Sequence, residues 1–280
     1  MGVKRRTVLF GGVGVGVVGL AGAGVLTDVL PGGQRARRFL GMTGPVGTVP
    51  DVPAGPTVTT QLASRARNKA VTVITMAPEG YTADNLPKCV ALHGYGGDAN
   101  WMVALGMPQF LTAAVRAGVK PFAVVSVDGG QDSYWVEKNG DDPQRMLTEE
   151  LGQLDAAMGI SMGAFGALCF GRRRPSLKAV AVASPSLFPS WDDTVKRGNR
   201  FESERFWEDN EPLRHTNTIN GSSLGVWCGT EDPTLEAAHT LIDRTHPARV
   251  AISSGAHEDA YWRRVMPEML AFVGERIVLT

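Results

Sequence analysis

The chain has 280 residues, 43% apolar and 20% charged, the balance of an ordinary globular protein of one large domain or two small ones. Lysine plus arginine equals aspartate plus glutamate at 28 each, so no overall field draws the chain to nucleic acid, and no nucleic-acid partner is expected. Cys89, Cys169 and Cys228 cannot all pair; each lies in an apolar stretch and reads as a small buried core residue, and nothing has zinc-ligand spacing.

Residues 1–30 read as an address rather than as fold. Lys4, Arg5 and Arg6 make a charged start, and a Gly/Val/Leu/Ala run continues from Phe10 to Leu26. The arginine pair followed by apolar residues fits a twin-arginine export signal, and Ala21-Gly22-Ala23 offers a small-residue cleavage site. The alternative is an uncleaved anchor, since about 17 apolar residues approach a membrane span. The expected location is therefore outside the cytoplasm, secreted or in the cell envelope, with membrane or envelope association through the N-terminus. Residues 31–56 are rich in Pro, Gly and Arg and read as a linker or surface arm, with a basic cluster from Gln34 to Arg38.

From residue 57 to 280 the pattern becomes that of one folded domain. Apolar, β-branched runs at 70–76, 88–92, 121–127, 177–183, 224–228 and 248–252 suit strands buried on both faces of a parallel sheet. Helical patterns lie between them, at 107–117, 143–151 and 235–244. Strand and helix in alternation predict an α/β fold, a mostly parallel sheet with helices on both faces and ligands outside the carboxyl ends of its strands. No internal repeat and no second core are visible.

Gly159-Ile160-Ser161-Met162-Gly163 matches G-x-S-x-G, and Gly221-Ser222-Ser223-Leu224-Gly225 matches it too. Context separates them. Ala156-Ala157-Met158 precedes the first as a short strand, and 164–170 follows it as a helix, the setting of a nucleophile elbow. The second precedes a strand and reads as a turn. In an elbow the serine is strained to lift its hydroxyl clear of the sheet, the backbones around it crowd, and only small residues fit at Gly159 and Gly163. The Met162 amide, just after the nucleophile, is one expected oxyanion donor, beside the helix N-terminus.

His257 lies between a short strand and a helix, in Ser253-Ser254-Gly255-Ala256-His257, and is the expected general base; His215, His239 and His246 sit in polar or helical surface contexts. The acid is expected after the strand 224–228, where Asp232 is preferred and Glu231 is the runner-up. Its task is to fix the imidazole tautomer and stabilise the imidazolium. Asp232 before Pro233 is also a natural helix cap, and the two roles are compatible. His93-Gly94-Tyr95-Gly96-Gly97 follows a strand, so the turn there supplies the second oxyanion amide, with His93 ordering the loop. Trp101, Tyr134 and Trp135, on loops at the same sheet edge, are candidates to line an acyl pocket.

These blocks, together with Val127-Asp128-Gly129-Gly130, Ser133-Tyr134-Trp135, Gly140-Asp141-Asp142-Pro143, Cys228-Gly229-Thr230 and Tyr261-Trp262-Arg263, resemble the esterase D-like branch of the α/β-hydrolases. That branch includes S-formylglutathione hydrolases and mycolyltransferases. The resemblance covers roughly residues 60 to 276 and implies an α/β-hydrolase fold. It also implies Ser161, Asp232 and His257 as triad, and the amides of Tyr95 and Met162 as oxyanion hole. One departure is that only residues 143–158 are available for the helix, loop and strand before the elbow.

The expected function is a serine carboxylesterase acting through an acyl-enzyme on a small-molecule or lipid ester, with no cofactor and no metal. The alternatives are an acyltransferase of envelope lipids or sugars, in which a hydroxyl acceptor replaces water, and a catalytically impaired envelope binding protein. A histidine base predicts activity that falls as pH drops through about 6 to 7, because protonated imidazole cannot accept a proton. A pH–rate profile of ester hydrolysis checks this. In the same assay Ser223→Ala should leave turnover within about twofold of wild type.

Overall fold

The computed structural model describes residue 41 and residues 43–277. The expected export signal and the basic cluster at 34–38 lie outside the described residues. The chain divides into two compact units, Met1–Gly44 and Pro45–Thr280. In the first, the Gly44 amide donates to the Gly41 carbonyl across 3.4 Å. The second contains all the sheet.

Eight strands form that sheet: β1 (Thr57–Ser64), β2 (Lys69–Met76), β3 (Lys88–Leu92), β4 (Ala123–Val127), β5 (Ala156–Ile160), β6 (Ala179–Ala183), β7 (Leu224–Gly229) and β8 (Arg249–Ser253). Their order is β1-β2-β4-β3-β5-β6-β7-β8. β1 and β2 form an antiparallel hairpin, β2 is antiparallel to β4, and every pair from β4 to β8 is parallel. This is the sheet of an α/β-hydrolase. β4, β5, β6 and β7 are buried at every residue, which is why their sequences run apolar without alternation.

Successive strand residues point to opposite faces and feed two cores. Val90 and Val125 join one core, with α3 (Pro143–Glu149), α4 (Met162–Arg173) and α7 (Leu235–Thr245) packed over it. Cys89, Ala91 and Val124 join the other, under α2 (Met107–Arg116) and α8 (Asp259–Arg276). A short α1 (Trp101–Leu105) precedes α2, and α5 (Trp191–Lys196) and α6 (Glu204–Asn210) lie in the excursion between β6 and β7.

Two boundaries differ from the sequence expectation. Residues 45–56, read as linker, belong to the body: the Gly47 amide donates to the Ala260 carbonyl at 2.8 Å, and the Ala77 amide to the Pro56 carbonyl at 3.0 Å. β1 was not among the expected strands, because an edge strand exposed along nearly all its length carries no buried alternation.

The short run before the elbow is sufficient. The chain leaves β4 and enters β5 with only β3 between them, a lateral step of two strand spacings, about 9.5 Å. The seven residues of α3 rise about 10 Å, and residues 150–155 complete the return. Asp142 caps α3 by accepting from the Arg145 amide at 3.0 Å, and Pro143 occupies its first turn. The entrance to α3 is tied down by Arg67, which is almost fully buried. Its guanidinium pairs with Asp141 and donates to the Asp128 carbonyl at 2.7 Å.

The excursion between β6 and β7 closes over a buried carboxylate. Glu211 accepts from the Phe188 amide at 3.1 Å and from the Leu213 amide at 3.2 Å. Burial pushes its pKa up to about 8, against those two amides, which favour the charged form. The folded state therefore holds this proton between the ordinary carboxylate range and about 8, where the unfolded chain releases it. Stability should fall as pH rises through that window and then level off. Thermal unfolding of wild type and Glu211→Gln from pH 5 to 8.5 checks this; the variant should show the flatter dependence.

Candidate active site

β5 ends at Ile160 and α4 begins at Met162, leaving Ser161 alone between them with φ 58° and ψ −119°. A side chain at positive φ costs on the order of 1–3 kcal/mol and persists only where its surroundings hold it. Here the Ser161 amide donates to the Ala183 carbonyl at 3.0 Å, and the Ser161 carbonyl accepts from Ala164 at 3.0 Å and Ser186 at 3.2 Å. The turn is tight enough that a β-carbon on Gly159 would overlap the Gly163 carbonyl, and one on Gly163 the Leu92 carbonyl.

The Ser161 hydroxyl lies 2.8 Å from His257 Nε2. His257 Nδ1 lies 3.0 Å from both carboxylate oxygens of Asp232. An Nδ1–H directed at the carboxylate leaves Nε2 free to accept the serine proton, which is the tautomer a general base needs. Asp232 follows β7 and His257 follows β8, so both reach the elbow from carboxyl ends of the sheet. The Asp232 side chain is wholly enclosed, and burial alone would raise its pKa. Hydrogen bonds from His257, Ser184 and Thr234 outweigh that and keep it below the ordinary carboxylate value. Thr234 donates twice to Oδ1, from its amide at 2.8 Å and its hydroxyl at 2.7 Å, so Asp232 also makes the turn into α7.

The loop after β3 approaches from the other side. A β-carbon on Gly94 would lie 3.5 Å from that of Ser161. The Gly96 amide donates to the Gln131 carbonyl at 2.7 Å, and Gly97 turns back to Gly94 at 3.1 Å. Among the described residues the amides of Tyr95 and Met162 have no acceptor. His93 is fully buried; Nδ1 donates to the Gly94 carbonyl at 2.9 Å, and Nε2 accepts from the Gly129 amide at 3.0 Å. Desolvation lowers its pKa, keeping the ring neutral as a strut between the loops after β3 and β4.

The three candidate pocket aromatics part company. Trp101 is half-buried and meets Trp262 edge-on at 5.6 Å, and Trp262 in turn meets the His257 ring edge-on at 5.1 Å. Tyr134 packs on Phe165, Phe188 and Phe201, with its hydroxyl 3.2 Å from that of Ser186, next to the elbow. Trp135 does not line a pocket. It is fully buried against His93, and its indole N–H donates to the His93 carbonyl at 3.3 Å. The two residues are adjacent in sequence, but both have left-handed backbone, φ 49° at Tyr134 and 58° at Trp135, and that tight turn sends their rings to different neighbours.

Ser184, Ser186 and Thr234 were not singled out from sequence, and Trp262 entered only within the block Tyr261-Trp262-Arg263. Trp262 donates to the Ser184 hydroxyl at 2.9 Å, linking α8 to the end of β6. Only Thr234 carried a signal, as the second residue after an aspartate that turns the chain. The rival serine, Ser223, closes a 3₁₀ turn before β7 and donates to the Asn220 carbonyl at 3.1 Å. The three cysteines are free and buried, and burial pushes the Cys169 and Cys228 thiols up to about 12, far from nucleophilic use at neutral pH. Among the described residues no group of three or more His, Cys, Asp or Glu is arranged to hold a metal ion.

The family model "Putative esterase" matches residues 135–279. No curated protein matches the chain. Among solved structures, a ferulic acid esterase superposes with a TM-score of 0.68 at 18% identity, covering 81% of this chain and 100% of its own. A fluorophosphonate-binding serine hydrolase F from Staphylococcus aureus superposes at 0.63 and 15% identity, covering 79% and 99%. An S-formylglutathione hydrolase from Agrobacterium tumefaciens superposes at 0.64 and 15%, covering 84% and 100%.

The elbow's crowding is testable. Gly163→Ala drives a methyl group into the Leu92 carbonyl and must move either the serine or β3. A shift of about 1 Å costs on the order of a hundredfold in rate, so kcat/KM for an activated ester should fall at least that far. Circular dichroism should still report a folded protein.

Proposed function

The chain belongs to this esterase family, serine esterases of α/β-hydrolase fold, and from that premise we propose that Ser161 is the nucleophile, His257 the general base and Asp232 its orienting acid. The Ser161 Oγ bonds to the ester carbonyl carbon while His257 Nε2 takes the hydroxyl proton. Charge on the carbonyl oxygen is met by the amides of Tyr95 and Met162. Collapse of the tetrahedral intermediate breaks the bond to the alcohol oxygen, which leaves with the proton from Nε2. Water then attacks the acyl-enzyme, giving its proton to Nε2, and the second collapse frees the acid and returns the proton to Ser161. The reading is carried by one observation: a serine hydroxyl 2.8 Å from an imidazole whose other nitrogen is held by a buried carboxylate.

The reading as a non-catalytic binding protein rested on the short segment before the elbow. That segment still delivers the serine to within hydrogen-bond range of the base. Small-molecule esters are the proposed substrates. Export is proposed as well, and its support is the pattern of residues 4–26 alone.

A fluorophosphonate probe should label the wild type and fail to label Ser161→Ala; equal labelling of that variant would remove the assignment. Ser161→Ala and His257→Ala should each reduce kcat by on the order of 10⁴ to 10⁶ for a nitrophenyl ester.

A further inference from the structure

We propose that Arg200 gives this esterase a preference for esters whose acyl group carries an anionic charge, an inference that rests on the assignment of Ser161 as nucleophile. Arg200 lies in the excursion between β6 and β7, just beyond α5. Its guanidinium sits over the ring of Tyr95 at 4.5 Å, and Nη1 donates to the Tyr95 hydroxyl at 3.3 Å. Tyr95 is the residue after Gly94, where an added β-carbon would lie 3.5 Å from that of Ser161, and Tyr95 stands in solvent at 55% exposure.

On its other side Arg200 is anchored by its neighbour. Phe201 is buried against Tyr134, Phe165 and Phe188, and Tyr134 reaches Ser186 beside the elbow. Burial raises the Tyr134 pKa and Glu211 adds to the rise, while Arg200 and, less strongly, Arg197 lie close enough to its hydroxyl to oppose it. Among the described residues neither arginine forms an ion pair; Arg197 donates to the Leu187 carbonyl at 3.3 Å and stacks over Phe188. Arg200 therefore brings a positive charge to the aromatic wall of Tyr95 and Tyr134, while Arg197 also faces the buried Glu211. Arg200 is half-buried and stacked on an aromatic face, with donors still open.

Sheet order and the stacking on Tyr95 together orient Arg200 relative to the ester. The loop after β3, which carries Tyr95, lies on one side of β5; the loops after β7 and β8, which carry Asp232 and His257, lie on the other, and Arg200, from the excursion between β6 and β7, reaches across to stack on Tyr95. The leaving alkoxide must sit by the imidazole to collect its proton, so the acyl group extends the other way, toward Tyr95 and Arg200. A carboxylate at the far end of a short acyl chain is the chemistry a forked guanidinium accepts.

The test compares 4-nitrophenyl hemiadipate with 4-nitrophenyl hexanoate, acyl chains of equal length that differ by a terminal carboxylate. Wild type should favour the hemiadipate in kcat/KM, the preference should shrink with added salt, and Arg200→Gln should reduce it about tenfold or more. Arg200→Lys should restore part of it. Equal use of both esters by wild type, or an unchanged ratio in Arg200→Gln, would overturn the proposal. A loss shared equally by both esters would also do so, marking Arg200 as a residue that merely orders the Tyr95 loop. If neither ester turns over while the fluorophosphonate probe labels Ser161, the proposal falls and the nucleophile assignment stands. If the probe also fails, both fall.

Discussion

The hydrogen bond between Ser161 and His257 joins residues 96 positions apart, and most of the architecture can be understood as what makes that bond short. A serine hydroxyl has no useful nucleophilicity at neutral pH unless a base takes its proton as the bond to carbon forms. The base works only with the right nitrogen free, which is why the carboxylate on the far side of the ring matters as much as the ring itself. Asp232 in turn is held ionised inside the protein by donors from Thr234 and His257, so the line of groups extends from β7 through β8 back to β5.

A parallel sheet is well suited to this. Its strands are buried on both sides, their carboxyl ends open onto one rim, and loops from β3, β5, β7 and β8 meet there without any of them being long. Precision at the rim comes from the crowding below it. Gly159 and Gly163 let β5, α4 and the end of β3 approach so closely that the serine has one position. His93 and Trp135, both fully buried, brace the loops that carry the second side of the site. Their role is mechanical: one ring accepts and donates to backbone, the other fills the space behind it.

The excursion between β6 and β7 supplies what the sheet does not. It brings Ser186, Phe188, Arg197, Arg200 and Phe201 to the serine side of the rim, and Glu211 ties its two ends together from beneath. Proton transfer from serine to imidazole needs none of these residues. On the proposed reading they form the wall that an acyl group meets, and Arg200 brings a positive charge to it.

Much of this was legible in the chain alone. Uninterrupted apolar runs identified the central strands, because strands buried on both faces have no solvent side to encode. G-x-S-x-G in a strand-to-helix setting singled out Ser161 over Ser223, since only that context needs glycines on both sides of a strained serine. Position after a strand led to Asp232, behind the run at 224–228, and to His257, between a short strand and a helix. Other features depended on distance in space. β1 is solvated along an edge and leaves no hydrophobic pattern; residues 45–56 are held by backbone hydrogen bonds that no side chain announces. Trp135 and Tyr134 are neighbours in sequence, yet one fills the core and the other backs the site. Local sequence determined which groups could do the chemistry, because strain, turns and strand burial are local. The tertiary structure decided which rings touch and which charged groups find partners, because those depend on segments that meet only after the sheet has formed.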